Sequence, residues 1–136
     1  MKDEERLKAA GKALALLEDE WVIVEGQRDR KALHGLGLKK ILTSSGNLGK
    51  SCDFLSLQKA EKAFVLTDLD RRGHQLALRA REELEARSIK ADLEQRAVLA
   101  RALRIKYFED ALRAYEKLKE EVVTTKGEKT YGKDIH

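Results

Sequence analysis

Three short apolar runs, each followed by a polar turn and a helix-spaced segment, constrain this chain more than any other feature. They are "WVIV" at 21–24, "KKILT" at 39–43 and "KAFVLT" at 62–67. Each is too short for a buried helix and is rich in β-branched residues, the pattern of strands covered on both faces. Before the first run, residues 3–19 carry Leu7, Ala10, Leu14 and Leu17 at helical spacing, which predicts a helix with one buried stripe. "RDRKALHGL" at 28–36 predicts a second helix, closed by Gly35 and Gly37, and "DFLSLQKA" at 53–60 a third of about two turns. The polar stretch "SSGNLGKS" at 44–51 is expected to be a loop.

Downstream of Gly73 the segment "HQLALRAREELEA" places Leu76, Ala80 and Leu84 on one side and charge on the other, an amphipathic helix. "SIKAD" at 88–92 is read as a fourth strand, and helical spacing returns over 93–104 and 108–121, with Leu99, Leu103, Leu112, Tyr115 and Leu118 as core. Alternating strands and helices imply a mainly parallel four-stranded sheet with right-handed crossovers and helices on both faces. The fold class is therefore α/β, with extra helices at the C-terminus, and 136 residues suit one domain. We divide the chain into an N-terminal helix packed on the domain (1–20), the α/β domain (20–104), a C-terminal helix (105–123) and a flexible tail (124–136).

The balance of 42% hydrophobic and 38% charged residues is that of a folded domain with a densely charged surface. No run approaches the ~18 apolar residues of a membrane span, and the acidic N-terminal segment is unlike a secretory signal, so a cytoplasmic location without membrane association is expected. Cys52 is the single cysteine, which removes an internal disulfide and any cysteine-rich zinc site and leaves it as a small packed side chain. A net charge of +4 tilts the choice of partner toward polyanions.

In parallel α/β sheets the working residues gather beyond the carboxyl ends of the strands. Two such ends are acidic here: Glu25 and Gly26 close the first strand, with Asp29 three residues on, and "TDLDRRG" at 67–73 follows the third. Asp68 and Asp70 project the same way if the backbone stays extended past Thr67. If strands one and three are neighbours, Glu25 joins them, and three crowded carboxylates repel one another unless a cation intervenes. Mg²⁺, a hard cation that prefers carboxylate oxygens and exchanges its waters for phosphate, meets that need, and Mn²⁺ is expected to substitute. Arg71 and Arg72 follow directly and are suited to clamp a phosphate.

The pair of motifs, "VEGQRD" at 24–29 and "LTDLDRRG" at 66–73, resembles the Toprim domain of bacterial-type primases, type IA and type II topoisomerases, OLD-family nucleases and ribonuclease M5. The resemblance covers about residues 20–92 and is closest to the small stand-alone Toprim proteins. It implies a Rossmann-like sheet, Mg²⁺ held by Glu25, Asp68 and Asp70, and Glu25 as general acid or base in phosphoryl transfer. Gly26 and Gly73 would support the two turns, and Asp29 either touches metal or caps the following helix, the latter being the reading adopted. Type IA topoisomerases carry a third acid where this chain has Arg72, which argues against strand passage. Tyr107, Tyr115 and Tyr131 are read as packing or surface residues, not nucleophiles.

Lys50, with Ser44, Ser45 and Asn47, is a candidate for contacts to backbone phosphates at the rim of the site. Arginines at 79, 81, 87, 96, 101 and 104 could form a basic track, although interspersed glutamates suit an ordinary solvated helix face equally well. Low aromatic content, 5%, disfavours base stacking as the main mode of single-strand recognition. His74 and His34 are read as exposed and structural residues, and His136 as part of the tail. The leading functional expectation is Mg²⁺-dependent phosphoryl transfer on nucleic acid, RNA or DNA, of a ribonuclease M5-like or primase-like kind, with a protein partner supplying additional substrate grip. The rival is a metal-dependent module that docks nucleic acid or a ribonucleoprotein without turnover.

Overall fold

The computed structural model describes residues 1–135, and the side chains of residues 1–125. Its elements run α1 (Asp3–Leu17), β1 (Trp21–Val24), α2 (Gln27–Gly35), β2 (Lys40–Thr43), α3 (Leu48–Leu57), β3 (Lys62–Val65), α4 (Arg71–Glu85), β4 (Lys90–Asp92), α5 (Glu94–Leu103), a 3₁₀ turn (Phe108–Asp110) and α6 (Ala111–Ile135). All four strands are parallel, in the order β2-β1-β3-β4. Val22 stands beside Phe64 and Ile23 beside Val65.

Strand side chains alternate between two cores because successive residues point to opposite faces. Val22, Val24, Phe64 and Leu66 face one core, which Leu14 and Leu17 of α1, Leu33 of α2, Leu99 of α5 and Leu118 of α6 complete. Ile23, Ala63 and Val65 face the other, filled by Cys52 and Leu55 of α3 and by Ala77, Ala80 and Leu84 of α4. Both faces of β1 and β3 are thus dry, which is why their sequences read as continuous apolar runs.

This chain order fixes where a site can form. After β1 the chain crosses to β2 on one side, and β3 then pairs on the other side of β1. The switch point of the sheet therefore lies between the carboxyl ends of β1 and β3, where a crevice opens in such folds. α2 leaves β1 toward the first core and α4 leaves β3 toward the second, so the two loops diverge around that crevice.

Two elements depart from the sequence reading. Helix α3 begins at Leu48, not near Asp53, because the Asn47 side chain accepts the Lys50 N–H at 3.0 Å and starts the helix inside the stretch read as a loop. Helix α6 runs on to Ile135, through most of the segment read as a patternless tail; side chains past 125, and the whole of His136, lie outside the described residues.

Phe108 is fully buried in the first core and anchors the segment between α5 and α6. Phe108→Ala is expected to lower unfolding free energy by about 3–5 kcal/mol, whereas Leu57→Ser, at an 80% exposed position, leaves it nearly unchanged. Urea unfolding of the two variants checks both.

Candidate functional site

The site grows from two strand ends drawn together by one hydrogen bond: the Asp68 N–H donates to Glu25 Oε1 at 3.1 Å. This contact joins residues 43 apart in sequence and follows from the β1–β3 pairing. Asp68 itself is held by a second long-range contact, its Oδ1 accepting the Phe108 N–H at 2.9 Å. The neighbouring Leu69 N–H donates to the Lys106 carbonyl at 2.7 Å, so the loop after β3 is clipped at two points to the segment after α5.

The remaining acids serve the local fold as well. Asp70 is the N-cap of α4, its Oδ1 accepting the Gly73 N–H at 2.7 Å. Asp29 Oδ2 accepts the Gly26 N–H at 3.0 Å and closes the first turn of α2. Gly73 is indispensable to this geometry: a Cβ there would overlap the main chain of Asp68, and its carbonyl accepts the buried Thr67 hydroxyl at 2.7 Å. Gly26 is different, since it is extended and a Cβ would meet nothing within 4 Å.

Beneath the acids lies Arg96, a residue grouped with the surface arginines in the sequence reading. It is buried, its Nε donating to the Thr67 carbonyl at 2.7 Å and its Nη2 to the Asp68 carbonyl at 2.6 Å. This fork holds the exit of β3 and places a cation behind the carboxylates. Burial lowers the Arg96 pKa, and the nearby charges of Asp68, Glu25 and Asp70 pull it back up.

Electrostatics mark Asp68 as the strained member. Burial pushes its carboxyl up to about 6, the Phe108 amide opposes this, and the charges of Glu25, Asp70 and Glu109 add to the rise. Asp29 is raised too, first by burial and then by Asp68, with the Gly26 amide opposing.

Two clefts meet over this cluster. One, of about 330 Å³, is lined by Glu25, Asp29, Asp68, Arg72, Tyr107 and Glu109, among others. The second, of about 310 Å³, lies between Glu25, Ser44, Ser45, Arg72, Gln75 and Arg79. Glu25 and Arg72 border both. Arg71 and Lys50 are exposed and line neither cleft, and His74 is an exposed first-turn residue of α4. Arg87 pairs with Glu83 and Asp53, away from the acids.

The donor types suit a hard divalent cation: Glu25, Asp68 and Asp70 are half-buried carboxylate residues at two adjacent strand ends, Glu25 and Asp68 lining the first cleft and Asp70 lining neither, and burial followed by the charges of Glu25 and Asp70 raises Asp68. As placed, one oxygen of each is engaged within the chain, and among the described residues no three His, Cys, Asp or Glu side chains stand together closely enough to hold an ion. The arrangement supplies the ligand chemistry without being closed around a metal.

Parallel strands with acids at the switch point and arginines along its rim define an α/β domain with a strand-end crevice. The Toprim domain pattern matches residues 20–102, and the chain belongs to that family. It is 34% identical over 99 residues to a UPF0292 protein of Thermococcus onnurineus, an alignment spanning 71% of this chain and 74% of that one. A UPF0292 protein of Pyrococcus abyssi is 33% identical over 96 residues, with 69% and 73% covered. Among solved structures, a putative protein from Aquifex aeolicus superposes with a TM-score of 0.63 at 28% identity, covering 79% of this chain and 95% of that one. Family membership points to a metal-dependent, nucleic-acid-related function. No helix among the described residues is long and apolar enough to cross a membrane.

The raised Asp68 carboxyl gives a stability signature. Its folded pKa lies above the ordinary value, so between about pH 4 and pH 6 the folded chain keeps a proton that the unfolded chain has released. Stability therefore falls as pH rises through that window. In metal-free buffer, Asp68→Asn, which retains an acceptor for the Phe108 amide, is expected to melt close to wild type near pH 4 and above it at pH 7. Thermal melts across that range check the sign.

Proposed function

We propose that this protein is a Mg²⁺-dependent enzyme of nucleic-acid phosphoryl transfer, ribonuclease M5-like or primase-like in kind, working in the cytoplasm. The observation that carries this reading is the juxtaposition of Glu25 and Asp68 across the switch point, joined at 3.1 Å and beside Asp70. Glu25, Asp68 and Asp70 would hold the cation, which when bound polarises a phosphodiester and offsets the charge developing on its oxygens. Mn²⁺ would serve in the same place.

The chain's own groups have distinct parts in this scheme. Glu25, oriented by the Asp68 amide, takes a proton from the attacking hydroxyl or returns one to the leaving oxygen. Arg72, at the meeting of the two clefts, clamps the reacting phosphate with its planar fork. Ser44, Ser45 and Arg79 receive the adjoining phosphate in the second cleft. Arg71 and Lys50, exposed nearby, meet more distant phosphates and set salt dependence instead of chemistry. Arg96 and Gly73 keep the Asp68 loop in register and touch no substrate.

One observation favours a second reading, in which the domain docks nucleic acid or a ribonucleoprotein partner through a cation without turnover. Asp70 and Asp68 each spend an oxygen on the fold, through Gly73 and Phe108, and the acids are not closed around an ion. Incubation with Mg²⁺ and end-labelled RNA and DNA panels separates the two. Wild type is expected to cut or extend a subset of strands, and Glu25→Gln and Asp68→Asn to lose at least about 100-fold of that rate, the scale on which general acid–base groups act. Mg²⁺-dependent binding without product would leave the docking reading standing.

A further inference from the structure

The family match ends at residue 102, yet the crevice does not. Tyr107 and Glu109, from the segment joining α5 to α6, line the same cleft as Glu25, Asp68 and Arg72. Tyr107 is 39% exposed although both its neighbours in the chain are pinned. The Lys106 carbonyl accepts the Leu69 N–H at 2.7 Å, Phe108 is fully buried with its amide on Asp68, and the Tyr107 carbonyl accepts the Asp110 N–H at 3.0 Å. An aromatic ring left open to solvent on so rigid a backbone is a preorganised contact surface, since little entropy is lost when something packs against it. The Lys106 ammonium stands over one face of the ring, 5.8 Å from its centroid, and brings a positive charge to that face.

The opposite arm of the crevice has different chemistry. Ser44, Ser45, Gln75 and Arg79 offer hydroxyl, amide and guanidinium donors, and no aromatic ring is among the residues lining it. The two arms join at Glu25 and Arg72. A ligand lying across both would meet phosphate donors on one side of the acids and an aromatic face on the other. Polyanion backbone and flat base are the two components of a nucleotide chain. Each arm is small for a ligand cleft, about 300 Å³, and a base inside a duplex is already stacked on its neighbours. Away from a duplex end, only an unpaired base can lay its face on an exposed ring.

We propose that Tyr107 is a stacking platform for an unpaired base next to the reacting phosphate, which makes the substrate of this site a single strand or a single-stranded end. This rests on the reading of the crevice as a phosphodiester site and names what that site selects. Tyr107 sets specificity, positions the strand and takes no part in proton transfer. The polarity follows from the two arms: the base next to the acids sits toward Tyr107, and the strand continues past Arg72 to Arg79.

Fluorescence anisotropy with short labelled strands in Ca²⁺ tests this. The ligands are single-stranded RNA, single-stranded DNA, the corresponding duplexes, and strands with one abasic residue at successive positions. Wild type should bind one or both single strands more tightly than the duplexes, and Tyr107→Ala should weaken that binding about tenfold, within the range base–aromatic stacking supplies. Tyr107→Phe should bind as wild type does. One abasic position should weaken wild type and leave Tyr107→Ala unaffected, an outcome that a folding defect would not produce. Tyr107→Ala binding single strands as wild type does, or duplex binding equal to single-strand binding, overturns the platform and leaves the phosphodiester site intact. Failure of wild type to bind any of these ligands, with or without Ca²⁺, overturns both.

Discussion

The hydrogen bond from the Asp68 amide to Glu25 is the contact on which the site depends. It exists because β1 and β3 are adjacent parallel strands that end at the same level, and their adjacency in turn follows from two dry faces that only a doubly covered sheet can satisfy. The fold thereby brings two acidic turns together, and the Asp68 carboxyl is raised, first by burial and then by the charges of Glu25, Asp70 and Glu109. Under the proposed function, a divalent cation bound there would offset the charge of these acids.

The support beneath the acids is built from neutral acceptors and one buried guanidinium. Arg96 binds the main-chain carbonyls of Thr67 and Asp68, not the Asp68 carboxylate, so it fixes the loop without occupying the acid's oxygens. Phe108 and Lys106 secure the same loop from outside. Asp68 is therefore held from three directions, by β1, α5 and the segment after α5, a rigidity suited to a group whose charge must be well placed.

Much of this was legible in the chain. The apolar runs and the helical segments between them pointed to parallel strands, with the adjacency of β1 and β3 entering only as a condition. Glu25, Asp68, Asp70 and Gly73 stood out as a pair of motifs at two strand ends, although an acid there can equally cap a helix, as Asp70 does. Arg96, Phe108, Tyr107 and Glu109 were not legible as site residues. Arg96 is one of many arginines on charge-rich helices, and burial alone distinguishes it. The segment at 104–110 reaches the crevice by tertiary packing, 40 residues from the acid it touches, and local periodicity carries no such information. The one signal available was a bulky Phe108 among polar neighbours in "KYFED", which hints at an anchored turn. The early start of α3 was readable from Asn47, a capping residue two positions before Gly49.

The most direct test of the account is a Mn²⁺ titration followed by the loss of the free-ion electron paramagnetic resonance signal. Wild type is expected to take up Mn²⁺ near neutral pH and release it to excess Mg²⁺. Glu25→Gln and Asp68→Asn should weaken uptake by roughly 100-fold or more, while Asp29→Asn, a change in a helix-capping residue, should weaken it less than the ~10- to 100-fold typical of a supporting group. Absence of uptake by wild type, or equal uptake by Asp68→Asn, would contradict the claim that these strand ends exist to share a cation.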